Sequence, residues 1–267
     1  MVESVWVRVI LRVLSGLTLG ILYLPLAIVA IYAFNPNRTQ RWPPTGLSLQ
    51  WFGEAFADPR VTGAFGTSLM AALGATAIAL VLGTLAALAV QRYRFFGRET
   101  VSFLLILPIA LPGVVTGIAL AATFRTVGID FGLETVIVGH ATFCVVIAYN
   151  NVIARLRRQP RSAEEASKDL GADTWQTFRR VTLPALATAM LSGGLLAFAL
   201  SFDEVIVTNF TAGPGTQTIP LYIYSAIQRP NELPVVNVVA LVLILLSVIP
   251  VYIAQRISGG EAGRVVR

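Results

Sequence analysis

Six stretches of the chain stay apolar over the roughly 20 residues that a helix needs to cross a bilayer. They run over roughly 9–34, 65–90, 101–124, 135–154, 185–209 and 234–255. The runs are continuous and lack a two-residue alternation, so they predict helices and not barrel strands. The first is longer than the ~7–15-residue core of a cleavable signal. It also lacks a clean small-residue cleavage site and reads as a retained helix. No fixed-period repeat is visible. The pattern predicts an all-α polytopic membrane protein, one bundle of six transmembrane helices over residues 1–267.

Polar positions gather between these runs. "NPNRTQRWPPTG" reads as a Pro- and Gly-rich loop. The stretch "LSLQWFGEAFAD" follows it, with Leu49, Phe52, Ala55 and Phe56 at helical spacing. Ser48 suits the cap of that short helix and Trp51 suits a membrane interface. "TAGPGTQTIPLYIYSAIQRPNELP" is punctuated by Gly and Pro and reads as a turn with a partly inserted apolar stretch. The longest polar segment, "EEASKDLGADTWQTFRRVTLP", spans Glu164 to Pro184 and contains the only lysine, Lys168.

Composition agrees with a membrane class. Only 13% of the residues are charged, against about 25% in a soluble domain, and mean hydropathy is +0.73. With six helices both termini fall on one side. That side carries Arg8, Arg12, Arg92, Arg94, Arg98, Arg155, Arg157, Arg158, Arg161, Lys168, Arg179, Arg180, Arg256, Arg264 and Arg267. The other side carries Arg38, Arg41, Arg60, Arg125 and Arg229. The positive-inside rule therefore predicts cytoplasmic termini and a cytoplasmic polar segment. The net charge of +6 is accounted for by topology. No aromatic-interleaved basic patch calls for nucleic acid. One cysteine excludes an internal disulfide framework.

The polar segment can be read as local structure. Ser162 with Glu165 has capping-box spacing for a helix starting near Ala163. Gly171 supplies a left-handed stop. Asp173 with Gln176 caps a second helix, which carries Trp175, Phe178 and Val181 and enters the membrane near Pro184. A short charged helix braced on two transmembrane helices is shaped to dock into a partner. The alternative is a loop hairpin that packs on its own bundle.

Glu165, Ala166, Ser167, Gly171, Val181, Leu183 and Pro184 stand at the spacing of the signature loop of ABC importer permeases, with Ser167 and Val181 as conservative departures. The stretches "GHATFCVVIAYNNVIARLRR", "LAFALSFDEVIVTNFTAGPGTQTIPLYIY" and "VVNVVALVLILLSVIPVYIAQRI" extend the likeness along the whole chain. The sequence resembles the second permease subunit of spermidine/putrescine-type importers. That resemblance implies a type I importer permease fold and a bacterial inner-membrane location. It implies a second, different permease, two copies of a cytoplasmic ATPase and an external solute-binding protein as partners. It also implies that a loop at about 155–184 couples to the ATPase through Glu164, Glu165, Ala166, Ser167, Asp169, Gly171, Ala172, Trp175, Leu183 and Pro184. ATP and Mg would then sit on the partner. No P-loop is present, since Lys168 is followed by Asp169 and has no glycine-rich loop before it.

Intramembrane polar residues are candidates for the substrate pathway. Asp203 and Glu204 lie about 28 Å from Pro184 along a straight helix. They suit the ammonium groups of a polyamine, an arginine of the partner permease, or the cap of a helix break after Ser201. Adjacent residues do not share a helix face, so at most one points into a pathway. Pro112 with Pro108 predicts a kink that frees carbonyls toward a pathway or serves packing alone. Gly113 stands where polyamine permeases usually carry an acidic residue, which widens the cargo to other small amines. Asn150 and Asn151 suit either the pathway or bonds between helices. His140 and Cys144, one turn apart, are too few for a metal site and read as packing. Glycines 63, 66, 74 and 83 read as points of close helix approach. A gradient-driven secondary transporter is a rival class that needs no docking loop. An intramembrane enzyme would need a convergent catalytic set, which Asp203 and Glu204 on one helix do not make.

Overall fold

The computed structural model describes residues 5–262. Arg264 and Arg267, counted above in the charge asymmetry, lie outside them. In chain order the helices are α1 (Val5–Ala33), α2 (Gln50–Ala57), α3 (Pro59–Arg92), α4 (Arg98–Ala110), α5 (Gly113–Val127) and α6 (Leu133–Arg158). Then come α7 (Ser162–Asp169), α8 (Thr174–Thr177), a π-helical turn (Phe178–Thr182), α9 (Leu183–Phe202), α10 (Ile206–Thr211) and α11 (Ile219–Ala226). A 3₁₀ turn (Pro230–Glu232) leads into α12 (Leu233–Ala262). No strand occurs among the described residues. Five helical segments are long and apolar enough to span a membrane, or six when the bent pair α4–α5 is counted as one span. The all-α class and the count of spans agree with the sequence reading.

Two predicted spans are interrupted. The run at 101–124 bends by 107° between α4 and α5. Pro112 disfavours helical backbone at Leu111, which is extended at φ −82°, ψ 141°. Pro108, by contrast, sits inside α4 without ending it. The run at 185–209 stops at Phe202 and restarts at Ile206. Its other end starts earlier than expected, since the helical segment reaches back to Thr174.

The chain divides into two compact units. One comprises Met1–Thr62 with Tyr222–Leu245. In it Trp51 is buried, and its Nε1 donates to the Asn35 carbonyl at 2.7 Å. Ser48 Oγ accepts from Gln50 N, so it serves the first turn of α2 from one position before the cap. Arg60 bridges Asp58 and Glu232, and its guanidinium holds the Asp58 carboxyl below the usual carboxylate range. None of the most apolar window of α1 is buried. A helix that is apolar all round suits contact with lipid.

The other unit comprises Gly63–Leu221 with Leu246–Arg267. Its centre is α6, whose most apolar window is 61% buried. Small residues set the spacing: Ala75 and Ala79 of α3 meet Ala141, Cys144 and Ala148 of α6 and Ala197 of α9. A second cluster joins Leu88, Tyr149, Val152, Leu156 and Leu186. Close approach through small side chains is how membrane helices gain packing without a hydrophobic driving force. Of the four glycines singled out, two sit at such contacts. A Cβ at Gly83 would lie 2.8 Å from Tyr149 N, and one at Gly74 would lie 2.9 Å from Ile137 Cδ1. Gly63 and Gly66 have no neighbour within 4 Å.

Gly83→Ala should therefore lower stability by about 1–3 kcal/mol through overpacking against backbone. Gly63→Ala should be neutral or slightly stabilising. Unfolding midpoints of the two purified variants check this, and an unchanged midpoint for Gly83→Ala would contradict the close approach.

Candidate functional site

The polar segment folds as helix, glycine turn, helix. α7 starts one residue earlier than predicted. Its N-cap position is Arg161 with helical backbone, and no side chain caps it. The Ser162–Glu165 capping box is thus absent, because Ser162 is already the first residue of the helix. Glu164 and Glu165 in the first turn and Lys168 in the last complement the helix dipole. The far end closes as expected. Gly171 has φ +82°, its N–H reaches the Lys168 carbonyl at 2.9 Å, and Ala172 N reaches the Ser167 carbonyl at 3.1 Å. That pair of bonds is a Schellman motif. A Cβ at Gly171 would meet open space, so the backbone angle is what requires glycine.

Asp173 and Gln176 form the predicted reciprocal cap of α8. α8 lasts one turn before the backbone widens into the π-helical Phe178–Thr182, where Leu183 N–H reaches the Phe178 carbonyl five residues back. Pro184 explains the widening. It has no N–H for the Arg180 carbonyl, and its ring would clash there in a regular helix. Such single-turn π segments are frequent at functional positions.

One carboxylate anchors the segment. Glu164, expected to face a partner, is half-buried and forms an ion pair with Arg92 at the end of α3. Thr182 Oγ1 in the π turn lies 2.8 Å from the same Glu164 oxygen and 2.9 Å from Arg92 Nη2. Arg161 Nη2 donates to the Gln91 carbonyl, and Ser167 Oγ lies 3.2 Å from Thr177 Oγ1. The outer face remains open. Glu165, Ala166 and Asp169 are exposed, as are Leu170 (89%) and Trp175 (65%). Ala172 and Leu183 are half-buried. The sequence reading missed Arg92 and Thr182. They lie 72 and 18 residues from Glu164, and Arg92 looked like one more topological cation.

The candidate pathway residues separate into two groups. Pro112 and the acidic pair belong together: Gly113, at the α4–α5 break, faces Ile206 at the start of α10, with Ile206 Cγ2 3.5 Å from its would-be Cβ. Asp203 is exposed at the end of α9. Glu204 is half-buried, and its Oε1 accepts from Val207 N at 2.9 Å, capping α10. Asn150 and Asn151 lie ten or more residues along α6 from His140, about 15 Å away. They line a cavity of about 260 Å³ with Arg155, Arg158 and Ser192. Asn151 Nδ2 bonds the Ile147 carbonyl of its own helix. His140 and Cys144 are buried, with His140 between Ser201 and Thr208 and Cys144 Sγ 3.3 Å from the Ala197 carbonyl.

Residues 79–259 match the family described as "Binding-protein-dependent transport system inner membrane component". The chain belongs to that family. It is a transport permease and not an enzyme. It is 37% identical over 247 residues to the putrescine transport system permease protein PotI of Escherichia coli (strain K12), covering 90% of this chain and 85% of the relative. It is 34% identical over 238 residues to the spermidine/putrescine transport system permease protein PotC of Haemophilus influenzae, covering 89% of this chain and 91% of the relative. The fold matches a bacterial ABC transporter involved in the import of the acidic polysaccharide alginate, with TM-score 0.72 at 16% identity, over 96% of this chain and 99% of that one.

Within this permease, the Glu164 junction yields a direct test. A double-mutant cycle with Arg92→Ala and Glu164→Gln should give a coupling of about 1–2 kcal/mol, as expected for a charge-assisted bond at a half-buried site. Unfolding midpoints in mixed detergent supply the four values. Additive effects would show that the pair carries no coupling.

Proposed function

We propose that this permease forms half of the pathway for a small cationic amine of the putrescine and spermidine class, and that a partner ATPase drives it through α7. The observation that carries the cargo reading is the similarity along most of the chain to permeases named for putrescine and spermidine. It is supported by Asp203, an exposed carboxylate where two broken helices meet. Glu204 commits one oxygen to its own helix, which leaves Asp203 as the more open carboxylate to accept from an ammonium group. A charge-assisted bond of that kind contributes about 1.5–3 kcal/mol. Gly113 favours a compact amine. An acidic side chain there would have to fit beside Ile206, so the site offers one carboxylate and not a pair.

The coupling reading rests on rigidity and exposure together. Leu170 and Trp175 project from a turn fixed by the Schellman motif, with Glu165 and Asp169 beside them. An ATPase groove would receive that surface. ATP and Mg would be held by the ATPase in two copies, with a second permease completing the pathway and an external binding protein delivering the solute. The arginine distribution supports cytoplasmic termini and a cytoplasmic α7 in a bacterial inner membrane. The permease then has two conformations, and nucleotide and loaded binding protein shift the balance between them.

The assembled complex in nanodiscs tests both parts. Putrescine-loaded binding protein should raise ATP hydrolysis above its basal rate. Asp203→Asn should weaken that stimulation about tenfold. If putrescine and spermidine leave the rate basal while another solute raises it, the amine assignment is wrong. Gly171→Val forces a β-branched residue to positive φ and should abolish ATPase association while the permease still inserts. Normal association of that variant would remove α7 from the docking role.

A further inference from the structure

His140 is the only histidine in the chain and is fully buried in α6. Its ring lies across the α9–α10 break. Nδ1 is 2.8 Å from Ser201 Oγ in the last turn of α9, and Nε2 is 2.8 Å from Thr208 Oγ1 in α10. The Thr208 hydroxyl donates to the Glu204 carbonyl at 2.9 Å. A hydroxyl has one proton to give, and giving it to the Glu204 carbonyl makes Thr208 Oγ1 the acceptor of Nε2–H. In a neutral ring Nδ1 is then bare, and it accepts the Ser201 O–H. The donors run in one direction, from Ser201 through the imidazole to Thr208 and on to the Glu204 carbonyl. They cross from the helix before the break to the helix after it.

Two further contacts seat α10 on α6. Thr135 Oγ1 lies 2.7 Å from the Thr211 carbonyl. A Cβ at Gly139 would come within 3.1 Å of Val207 Cγ1. His140 is the member of this set that holds both sides of the break. A flat ring with one donor and one acceptor at opposite edges can join two hydroxyls from two helices. An aliphatic side chain of similar size leaves that relay open.

We infer that His140, neutral and protonated on Nε2, is a positioning residue that sets the angle of the α9–α10 break and with it the place of the Asp203 carboxylate. The geometry stands by itself, whereas its consequence for transport rests on the reading of Asp203 as the amine contact.

The test uses the whole complex in nanodiscs, with ¹⁵N-histidine in the permease alone. The single ring should show one protonated and one bare nitrogen, with the bare one assigned to Nδ1. A doubly protonated ring, or a proton on Nδ1, overturns the inference. A second arm places a cysteine at position 203 in a Cys144→Ala background and follows its modification by a water-soluble thiol reagent. His140→Leu should change that rate on the order of tenfold, because it breaks the buried relay. His140→Gln, whose amide offers a donor and an acceptor, should restore it. Equal rates in the Leu variant and the parent, or a Gln variant that behaves like Leu, overturn the positioning role. Failure of both variants to assemble makes His140 a folding residue and overturns it as well. In the third arm, with Asp203 intact, His140→Leu should weaken putrescine-stimulated ATP hydrolysis about tenfold at an unchanged basal rate. If the spectrum and the labelling behave as expected while this arm shows no loss, the amine reading of Asp203 fails and the positioning role stands.

Discussion

A single half-buried carboxylate holds together the polar segment around α7. Glu164 bonds Arg92 and Thr182, so the end of α3, the start of α7 and the π turn before α9 meet at one point. The ion pair satisfies a guanidinium and a carboxylate where neither has full access to water, and losing one partner strands the other. The segment outside this junction is short and stiff. The Schellman turn at Gly171 and the reciprocal cap of α8 leave it few alternative shapes. A push on α7 therefore reaches two long helices through bonded contacts, without passing through a flexible linker.

The second constraint is the membrane itself. Backbone groups released by a helix break need partners inside the bilayer. Among the described residues, two predicted spans are broken, at Leu111–Pro112 and at Asp203–Val205, and the chain packs the breaks against each other. A small residue makes that possible: a Cβ at Gly117 would come within 2.6 Å of Phe210. Glu204 caps the restarted helix and the Pro112 carbonyl accepts from Val115 and Thr116 at the start of α5. Glu204 and the Pro112 carbonyl at the breaks are committed to structure, whereas Asp203 is exposed. The polar cavity beside Asn150 and Asn151 is bordered by two arginines and suits a cation poorly.

Much of the architecture was legible because it depends on long apolar runs and local turn chemistry. The spans, the stop at Gly171 and the Asp173–Gln176 cap all follow from neighbours in sequence. The misses share a cause. Ser162 looked like a cap, but α7 begins with helical backbone at Arg161, and nothing local revealed that. The bond from Trp51 to the Asn35 carbonyl, sixteen residues away, left no local signal. Glu164 looked outward-facing because its partner Arg92 is 72 residues distant. The break in the run at 185–209 was legible only as one of three readings of the acidic pair, the cap of a helix break after Ser201, and Glu204 does bond the restarted helix. Hydropathy records whether a segment suits lipid, and is silent on which polar side chain meets which.

The central claim is that α7 and the helix ends it bonds move as one body. Pulsed electron paramagnetic resonance can test it in the assembled complex. Labels would go on cysteines at Asp169 in α7 and Tyr93 just beyond α3, both exposed, with Cys144 replaced by alanine. A single narrow distance distribution, the same in the resting complex and after trapping with ATP and vanadate, is the predicted result. A shift of about 5 Å or more, the length of one helical turn, would show that α7 moves separately from the bundle and would contradict the account.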